Sequence, residues 1–203
     1  MISALYVQEG GCYYGISDVD PWPEERDARL YLGPHAVVAH PPCQRWGKLA
    51  KVNYARWGGE HNRPGNDGGC FKCALSDVRR WGGVLEHPAQ SYAYDAFSLL
   101  RPSRMPKHRG WIDISSGDWV CEVWQSAYGH RANKATWLFY HGARRPFDLR
   151  WDRPIGEFQV GFEDSKRRGR NKPTLSPAEA AATPLAFRDA LLDLARWSLA
   201  AVR

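Results

Sequence analysis

Cys43 and Glu86 are the two side chains whose types and positions best suit covalent chemistry on a bound substrate. Cys43 follows Pro41 and Pro42, which come directly after the apolar run Ala36–Ala39. That run is predicted to be a short buried strand ending at the prolines, because neither proline can donate to a sheet ladder. A thiol just past such a strand lies where open α/β sheets form ligand crevices, so Cys43 is a candidate nucleophile. The alternative is a buried cysteine behind a turn, since free cysteine is commonly a small core residue.

Glu86 ends a second short apolar run, residues 82–85, and a His-Pro pair follows it. If the two runs are neighbouring parallel strands, Glu86 lies beside Cys43 at the same edge of the sheet. A carboxylate at the end of an apolar strand is costly unless it is paired or used in chemistry. We therefore predict that Glu86 is the second catalytic residue, with a structural role as the alternative.

The composition favours one soluble globular domain with a polyanionic partner. The chain has 203 residues, of which 43% are hydrophobic and 25% charged, enough for one sizeable core. A net charge of +6 favours nucleic acid as the partner. The sequence has no apolar run of bilayer length and no signal segment, so we expect a cytoplasmic protein without a membrane partner. Its five cysteines are odd in number and lack the short spacing of a secreted scaffold, which argues against a disulfide framework.

The N-terminal segment contains a candidate cofactor site. Gly10 and Gly11 follow a predicted first strand at residues 2–7, and the backbone of such a turn can approach a ligand closely. Asp18 and Asp20 come next. Their carboxylates could contact ribose hydroxyls, although an acidic turn before a helix serves equally well as an N-cap.

The remaining elements are predicted from periodicity and from capping residues. They are helices at residues 23–32, 67–81 and 183–202 and strands at 119–124 and 137–140. Cys70 and Cys73 of the second helix form a CxxC pair, but they also belong to its apolar face, and no metal site is predicted because a second ligand pair is missing. The last helix, with Thr183 as N-cap and Pro184 at its first position, is predicted to serve packing.

Two basic segments have no clear periodicity. Residues 47–69 are predicted to be a loop or lid, and residues 141–182 a basic, loop-rich segment whose densest run is 166–172. Either segment could follow a phosphate backbone, and a solvated surface is the competing interpretation. The first contains four cations and two aromatic residues that could grip such a backbone. They are Lys48, Lys51, Arg56 and Arg63, with Tyr54 and Trp57.

Three stretches together resemble the DNA cytosine-5 methyltransferase family, in the family's order. Residues 41–44, Pro-Pro-Cys-Gln, resemble its catalytic Pro-Cys-Gln turn, and residues 85–88, Leu-Glu-His-Pro, stand where it has a Glu-Asn-Val strand end. Residues 128–136, which begin with Tyr-Gly, are similar to its later segment with Gln-x-Arg-x-Arg. Upstream, residues 5–11 and 18–21 weakly resemble its glycine-rich first motif and its acidic second motif.

The resemblance implies a compact Rossmann-like α/β domain with a mostly parallel central sheet, truncated at the cofactor-binding half, with residues 1–140 as a methyltransferase-like core. It implies that the Cys43 thiolate adds to a pyrimidine ring while Glu86 binds and protonates the ring edge, as in a phage-like modification of DNA or of a pyrimidine nucleotide. The implied cofactor is S-adenosylmethionine, bound by Gly10, Gly11, Asp18 and Asp20. The implied substrate-binding residues are His40, Pro42, Gln44, His87, Gln125, Tyr128, His130 and Lys134.

The chain departs from the family pattern in its cofactor region and in its later motif. Only six residues separate Gly11 from Asp18, too few for the helix and strand that the family places there. Lys134 and Thr136 stand where the later motif has its two arginines. Another one-carbon donor, or other pyrimidine chemistry through the same adduct, is therefore a variant of the prediction.

Two rival functions belong to other classes. A non-catalytic DNA-binding protein would keep the base pocket without the cofactor, and its DNA binding would be sensitive to salt. A metal-dependent nuclease would use Asp18, Asp20 and Glu86, but these carboxylates are not spaced as a recognisable ligand set.

Overall fold

The computed structural model describes residues 1–47, 49–102, 109–160 and 172–199. Its strands are β1 (Ile2–Leu5), β2 (Val19–Trp22), β3 (Ala36–Ala39), β4 (Gly83–Pro88), β5 (Ile112–Ser115), β6 (Asp118–Trp124) and β7 (Ala135–His141). Its α-helices are α1 (Ala50–Trp57), α2 (Cys70–Trp81), α3 (Ala93–Ala96), α4 (Pro177–Ala181) and α5 (Leu185–Ser198). The strands form one mixed sheet in the order β2-β1-β3-β4-β7-β6-β5.

Strands β2, β1, β3 and β4 form the parallel side of the sheet. This confirms that the strand before Cys43 and the strand that contains Glu86 are parallel neighbours. Alternate residues of β3 face two separate cores, because successive side chains of a strand point to opposite faces. Val38 packs in the core that contains Leu191 of α5, and Val37 packs in the core that contains Phe71 of α2.

The other side of the sheet is antiparallel, so a mostly parallel sheet is correct only for the first four strands. Strand β7 lies between β4 and β6 and is antiparallel to both, and β5 pairs antiparallel with β6. Both strands predicted at 119–124 and 137–140 are confirmed. The reversal at β7 brings the segment before it, residues 125–134, to the same edge of the sheet as the end of β4.

The helix predicted at residues 23–32 is replaced by two 3₁₀ turns, Glu24–Arg26 and Ala28–Leu30. Asp27 between them has φ of 45°, in the left-handed region, which a continuous helix does not allow. The Asp27 carboxylate accepts a hydrogen bond from the Arg29 backbone N–H at 3.2 Å and so stabilises this break. Likewise β1 ends at Leu5, two residues earlier than expected, and Tyr6 follows it with φ of 59°.

The segments predicted as loops contain two short helices. Helix α1 lies within residues 47–69 and buries only Ala50, so its sequence has no apolar stripe that could have indicated it. Helix α4 lies within residues 141–182 and begins with a capping box between Ser176 and Glu179. Lys48 and most of the basic run 166–172 lie outside the described residues.

Helices α2 and α5 confirm the predictions for residues 67–81 and for the C-terminal packing helix. In α5 an apolar stripe that includes Phe187 and Leu191 is fully buried, as a packing helix requires. Pro184 is the N-cap residue rather than the first helical residue, so Thr183 does not cap this helix. The predicted end near residue 202 lies outside the described residues. No helix in the described part of the chain is long and apolar enough to cross a membrane.

Candidate active site

His40 and Glu86 are held side by side at the carboxyl edge of the parallel strands. Strands β3 and β4 are paired so that Ala39 lies opposite Leu85, and each strand continues into one of these two residues. His40 Nδ1 lies 3.1 Å from Glu86 Oε2, and the two side chains are only 14% and 12% exposed. The register of two buried strands therefore positions a nearly enclosed imidazole–carboxylate pair.

The antiparallel side of the sheet contributes the next contact to Glu86. Gln125 begins the 3₁₀ turn after β6, and its Nε2 donates to Glu86 Oε1 at 3.3 Å and to Thr136 Oγ1 of β7 at 3.0 Å. Gln125 is buried, and its Oε1 has no hydrogen-bond partner among the described residues. Thr136 therefore supports the amide that contacts Glu86.

Glu86 is a carboxylate in this environment. Burial is the largest single effect and opposes its ionisation, but the His40 hydrogen bond and nearby positive charge, including that of Lys134, together outweigh burial and lower the pKa of Glu86 below its usual value. Each partner that is removed is thus expected to raise the pKa of Glu86.

Cys43 is a neutral thiol in the turn after β3, at the same edge of the sheet as this carboxylate. Burial, and then the negative charge of Glu86, raises the pKa of Cys43, while Lys134 acts in the opposite direction. The turn that carries Cys43 is closed by its own carbonyl, which accepts hydrogen bonds from the backbone N–H groups of Trp46 and Gly47, both at 3.0 Å. Cys43 therefore needs a proton acceptor before it can act as a nucleophile.

Tyr13 is a site residue that the sequence did not indicate. It lies in the connection between β1 and β2, is buried, and its hydroxyl lies 2.8 Å from His40 Nε2. A single tyrosine in a glycine-rich turn carries no periodic signal. The neighbouring Gly10 and Gly11, which mark a turn near the ligand edge of the sheet, are the one feature that could have drawn attention to it.

Lys134 is the third predicted substrate-binding residue that reaches the surroundings of Glu86. Its positive charge lowers the pKa of both Glu86 and Cys43. Its Nζ also donates to the carbonyl oxygens of Ala181 at 3.3 Å and Ala182 at 3.5 Å, at the end of α4. Lys134 therefore links the basic segment after residue 141 to the site.

Pro42 and Gln44 are exposed and lie beside the site rather than in contact with Glu86. They border an open cleft of about 490 Å³. The other lining residues are Arg45, His61, Asn66 and Asp67. Since Cys43 lies between Pro42 and Gln44 in the chain, this cleft adjoins the turn that carries Cys43.

The structure does not bring His87, Tyr128 or His130 to Glu86. His87 is completely buried on the opposite face of β4 against Phe71, with ring centroids 5.1 Å apart, and burial lowers its pKa to about 4. The Tyr128 hydroxyl accepts from the Arg150 backbone N–H at 2.9 Å. The His130 ring is likewise used in a local turn, because its Nδ1 accepts from the Ala132 backbone N–H at 3.0 Å.

The four predicted cofactor residues do not converge on a ribose site. Asp18 precedes β2 at the amino edge of the sheet, opposite to the edge with Glu86, and forms an ion pair with Arg196 at 2.9 Å. Asp20 is paired with Arg26 at 2.6 Å.

The glycine turn is also closed on itself, because the Gly11 backbone N–H donates to the Gln8 carbonyl at 3.0 Å. Carboxylates already neutralised by arginine are poor acceptors for a ribose diol. The residues present therefore do not fit S-adenosylmethionine in the predicted way.

Comparison with protein-family models and with curated proteins finds no match to this chain. The resemblance to cytosine-5 methyltransferases thus remains a prediction from short motifs. Within residues 1–47, 49–102, 109–160 and 172–199, no group of three or more histidine, cysteine or acidic residues could hold a metal ion.

Proposed function

We propose that this protein modifies a pyrimidine base of DNA or of a nucleotide through a covalent adduct on Cys43, with Glu86 as the acid–base group. The observation that carries the proposal is the register of β3 and β4, which puts the Cys43 turn and the nearly enclosed Glu86 at the same carboxyl edge of parallel strands. Burial and the charge of Glu86 raise the pKa of the Cys43 thiol, so it is neutral. The parallel side of the sheet, with a helix on each face, supports a Rossmann-like ancestry for this half of the fold.

The neutral Cys43 thiol and the ionised Glu86 carboxylate define how the proton moves when the thiol adds to cytosine. Cys43 loses its S–H proton to the Glu86 carboxylate as sulfur bonds to ring carbon C6. The electrons of the C5–C6 double bond shift toward N3, which takes the proton from Glu86. The proton has then moved from sulfur to N3 without any net change of charge. The product is a neutral enamine in which C5 is nucleophilic and ready for an electrophile.

The electrophile is left open in this proposal. Asp18 and Asp20 are paired with arginines, so they offer little support for S-adenosylmethionine. Methyl transfer from that sulfonium is one version of the reaction, and transfer from another one-carbon donor is the other. The shared step is the Cys43 adduct, which can be tested without knowing the donor.

A second candidate, DNA binding without chemistry, is favoured by the surface of α1. This helix follows the nucleophile turn and exposes Trp57 (68%) and Tyr54 (41%) beside Lys51 and Arg56. Aromatic faces alternating with cations are suited to stacking on bases and to pairing with phosphates. In this alternative the raised pKa of Cys43 reflects a thiol that never reacts.

Covalent trapping distinguishes the two candidates. The protein is incubated with DNA that contains 5-fluorocytosine or 5-fluorouracil, and with the free fluoropyrimidine nucleotides, in the presence and absence of S-adenosylmethionine. We expect an adduct that survives denaturation and is absent from Cys43→Ala. Salt-sensitive DNA binding that Cys43→Ala leaves unchanged, with no adduct on any substrate, would instead support the binding protein.

A further inference from the structure

Tyr13, His40 and Glu86 form one continuous hydrogen-bonded chain that leads from the β1–β2 connection to the candidate acid–base group. The Tyr13 hydroxyl lies 2.8 Å from His40 Nε2, and His40 Nδ1 lies 3.1 Å from Glu86 Oε2. All three side chains are buried or nearly so, which shields the chain from competing water. We propose that Tyr13 and His40 are positioning residues that orient Glu86 and keep it a carboxylate able to accept the Cys43 proton. This inference rests on the proposed function.

The partners define which atoms carry the protons. Glu86 is ionised and can only accept, so His40 Nδ1 carries a proton and donates it in the hydrogen bond to Oε2. With a single proton on the ring, His40 Nε2 is the acceptor, and the Tyr13 hydroxyl donates to it. Burial raises the pKa of Tyr13 well above its usual value, so the hydroxyl keeps its proton. Tyr13 therefore selects the imidazole tautomer that can donate to Glu86.

This arrangement assigns His40 a different role from the one expected of it from sequence. Both of its ring nitrogens are engaged within the protein, one by Tyr13 and one by Glu86. A substrate base would have to displace one of these bonds to contact the ring. His40 therefore acts on the substrate through Glu86 and not by direct contact.

The groups around Glu86 determine the direction of the pH effect. Burial raises its pKa, and among the groups that lower it the hydrogen bond from His40 has the largest effect, followed by nearby positive charge that includes Lys134; Gln125 donates to its second oxygen. Glu86 in turn affects Cys43, because its negative charge raises the pKa of the thiol. Loss of the His40 hydrogen bond alone should raise the pKa of Glu86. The acidic limb of adduct formation, which requires the carboxylate, should then move to higher pH.

Three variants separate the Tyr13–His40 hydrogen bond from the His40–Glu86 hydrogen bond. His40→Ala removes both bonds, and His40→Asn retains an amide N–H that can donate to Glu86 but loses the contact with Tyr13. Tyr13→Phe removes a single oxygen and keeps the ring. Tyr14→Phe is the matched control, because the Tyr14 hydroxyl donates to exposed Glu9 at 2.6 Å, outside the chain. Circular dichroism selects variants that retain the wild-type fold.

The first readout is independent of activity. A heteronuclear NMR titration of the intact protein reports the His40 tautomer and the carboxyl resonance of Glu86. We expect the Nδ1–H tautomer in the wild type and in Tyr14→Phe, and a loss of tautomer preference in Tyr13→Phe. We expect the pKa of Glu86 to rise by about one unit in His40→Ala and by less in His40→Asn. An Nε2–H tautomer in the wild type, or an unchanged pKa of Glu86 in His40→Ala, would overturn the proposal.

The second readout is the rate of adduct formation on a fluoropyrimidine substrate. For His40→Ala we expect the acidic limb to move up by about one pH unit and the rate at saturating substrate to fall about tenfold at a pH on that limb. Substrate affinity, measured in a Cys43→Ala background, should stay within about twofold of the parent. A loss of affinity with an unchanged saturating rate would show that His40 contacts the substrate, and would overturn the positioning role.

The two readouts keep the failure of this inference apart from the failure of the proposed function. If the NMR titration behaves as expected and no substrate forms an adduct, the hydrogen-bonded chain exists but the pyrimidine chemistry is wrong. If adducts form normally while Tyr13→Phe leaves the His40 tautomer unchanged and His40→Ala leaves the pKa of Glu86 unchanged, the chemistry stands and the positioning role is wrong.

Discussion

Glu86, at one edge of the sheet, and the pair Asp18 and Asp20, around β2, differ in the side chains that pair with their carboxylates. At the carboxyl edge of β3 and β4, Glu86 is held by an imidazole and an amide in a nearly enclosed setting. Around β2, Asp18 and Asp20 are paired with arginines, and all four of these side chains are between 32% and 45% exposed. An arginine stays charged at any working pH and neutralises its carboxylate permanently, whereas histidine and glutamine leave a carboxylate able to take up a proton. The comparison teaches that the first region is suited to proton transfer and the second to surface packing.

The largest expected effect comes from Glu86→Gln. This change removes the proton acceptor, and we expect the rate of adduct formation to fall about 100-fold or more, in the range of general acid–base contributions. The same change removes a negative charge near Cys43, so the pKa of Cys43 should fall. Alkylation of Cys43 by iodoacetamide at neutral pH should therefore become faster. A variant that lost both adduct formation and thiol reactivity would indicate a collapsed site instead of a missing base.

His87 provides a prediction on the pH dependence of stability. Its pKa in the folded protein is about 4, below the ordinary value of 6.5, so the unfolded chain binds the proton more readily. Stability should therefore fall as the pH falls from 6.5 to 4, by about 3 kcal/mol for the wild type. Denaturant unfolding of His87→Phe over the same range should lose this part of the slope. An identical slope in wild type and variant would contradict this account of His87.

The smallest effects are expected in the arginine-paired region. Asp18→Asn and Asp20→Asn should each change the free energy of unfolding by less than about 1 kcal/mol, because exposed ion pairs contribute little. Both variants should form the Cys43 adduct at the wild-type rate. If either variant abolished a reaction that depends on S-adenosylmethionine while leaving the adduct intact, Asp18 or Asp20 would be a cofactor ligand after all, and the comparison above would fail.

Local patterns predicted the elements that hold Cys43 and Glu86 but not the contacts between those elements. Strand β3 was evident because four apolar residues meet two prolines, and α2 because its apolar residues recur at helical spacing. Helix α1 was missed because it buries only Ala50 and so has no amphipathic pattern. Asp27 could not be expected to interrupt a helix, since its left-handed backbone is stabilised by its own side chain.

The hydrogen-bond partners of Glu86 and His40 were harder to predict than the strands that carry the site. The strand before Cys43 and the strand that contains Glu86 were correctly expected to be parallel neighbours, which places both residues toward the same edge of the sheet. The contacts of Glu86 with Gln125 and Thr136 depend on β7 running antiparallel beside β4, which is a choice of topology that no single segment encodes. Tyr13 meets His40 across 27 residues of chain from an irregular connection. Such long-range contacts arise from packing, which leaves no periodic trace in the sequence.

The most direct test of the central claim is to locate the covalent bond. Wild-type protein trapped on fluoropyrimidine DNA or nucleotide is digested, and the modified peptide is identified by mass spectrometry, with Cys43→Ala and Cys73→Ala as the paired variants. We expect the added mass on the peptide that contains Cys43, lost in Cys43→Ala and retained in Cys73→Ala. An adduct on another cysteine, or an adduct that persists in Cys43→Ala, would contradict the assignment of Cys43 as the nucleophile.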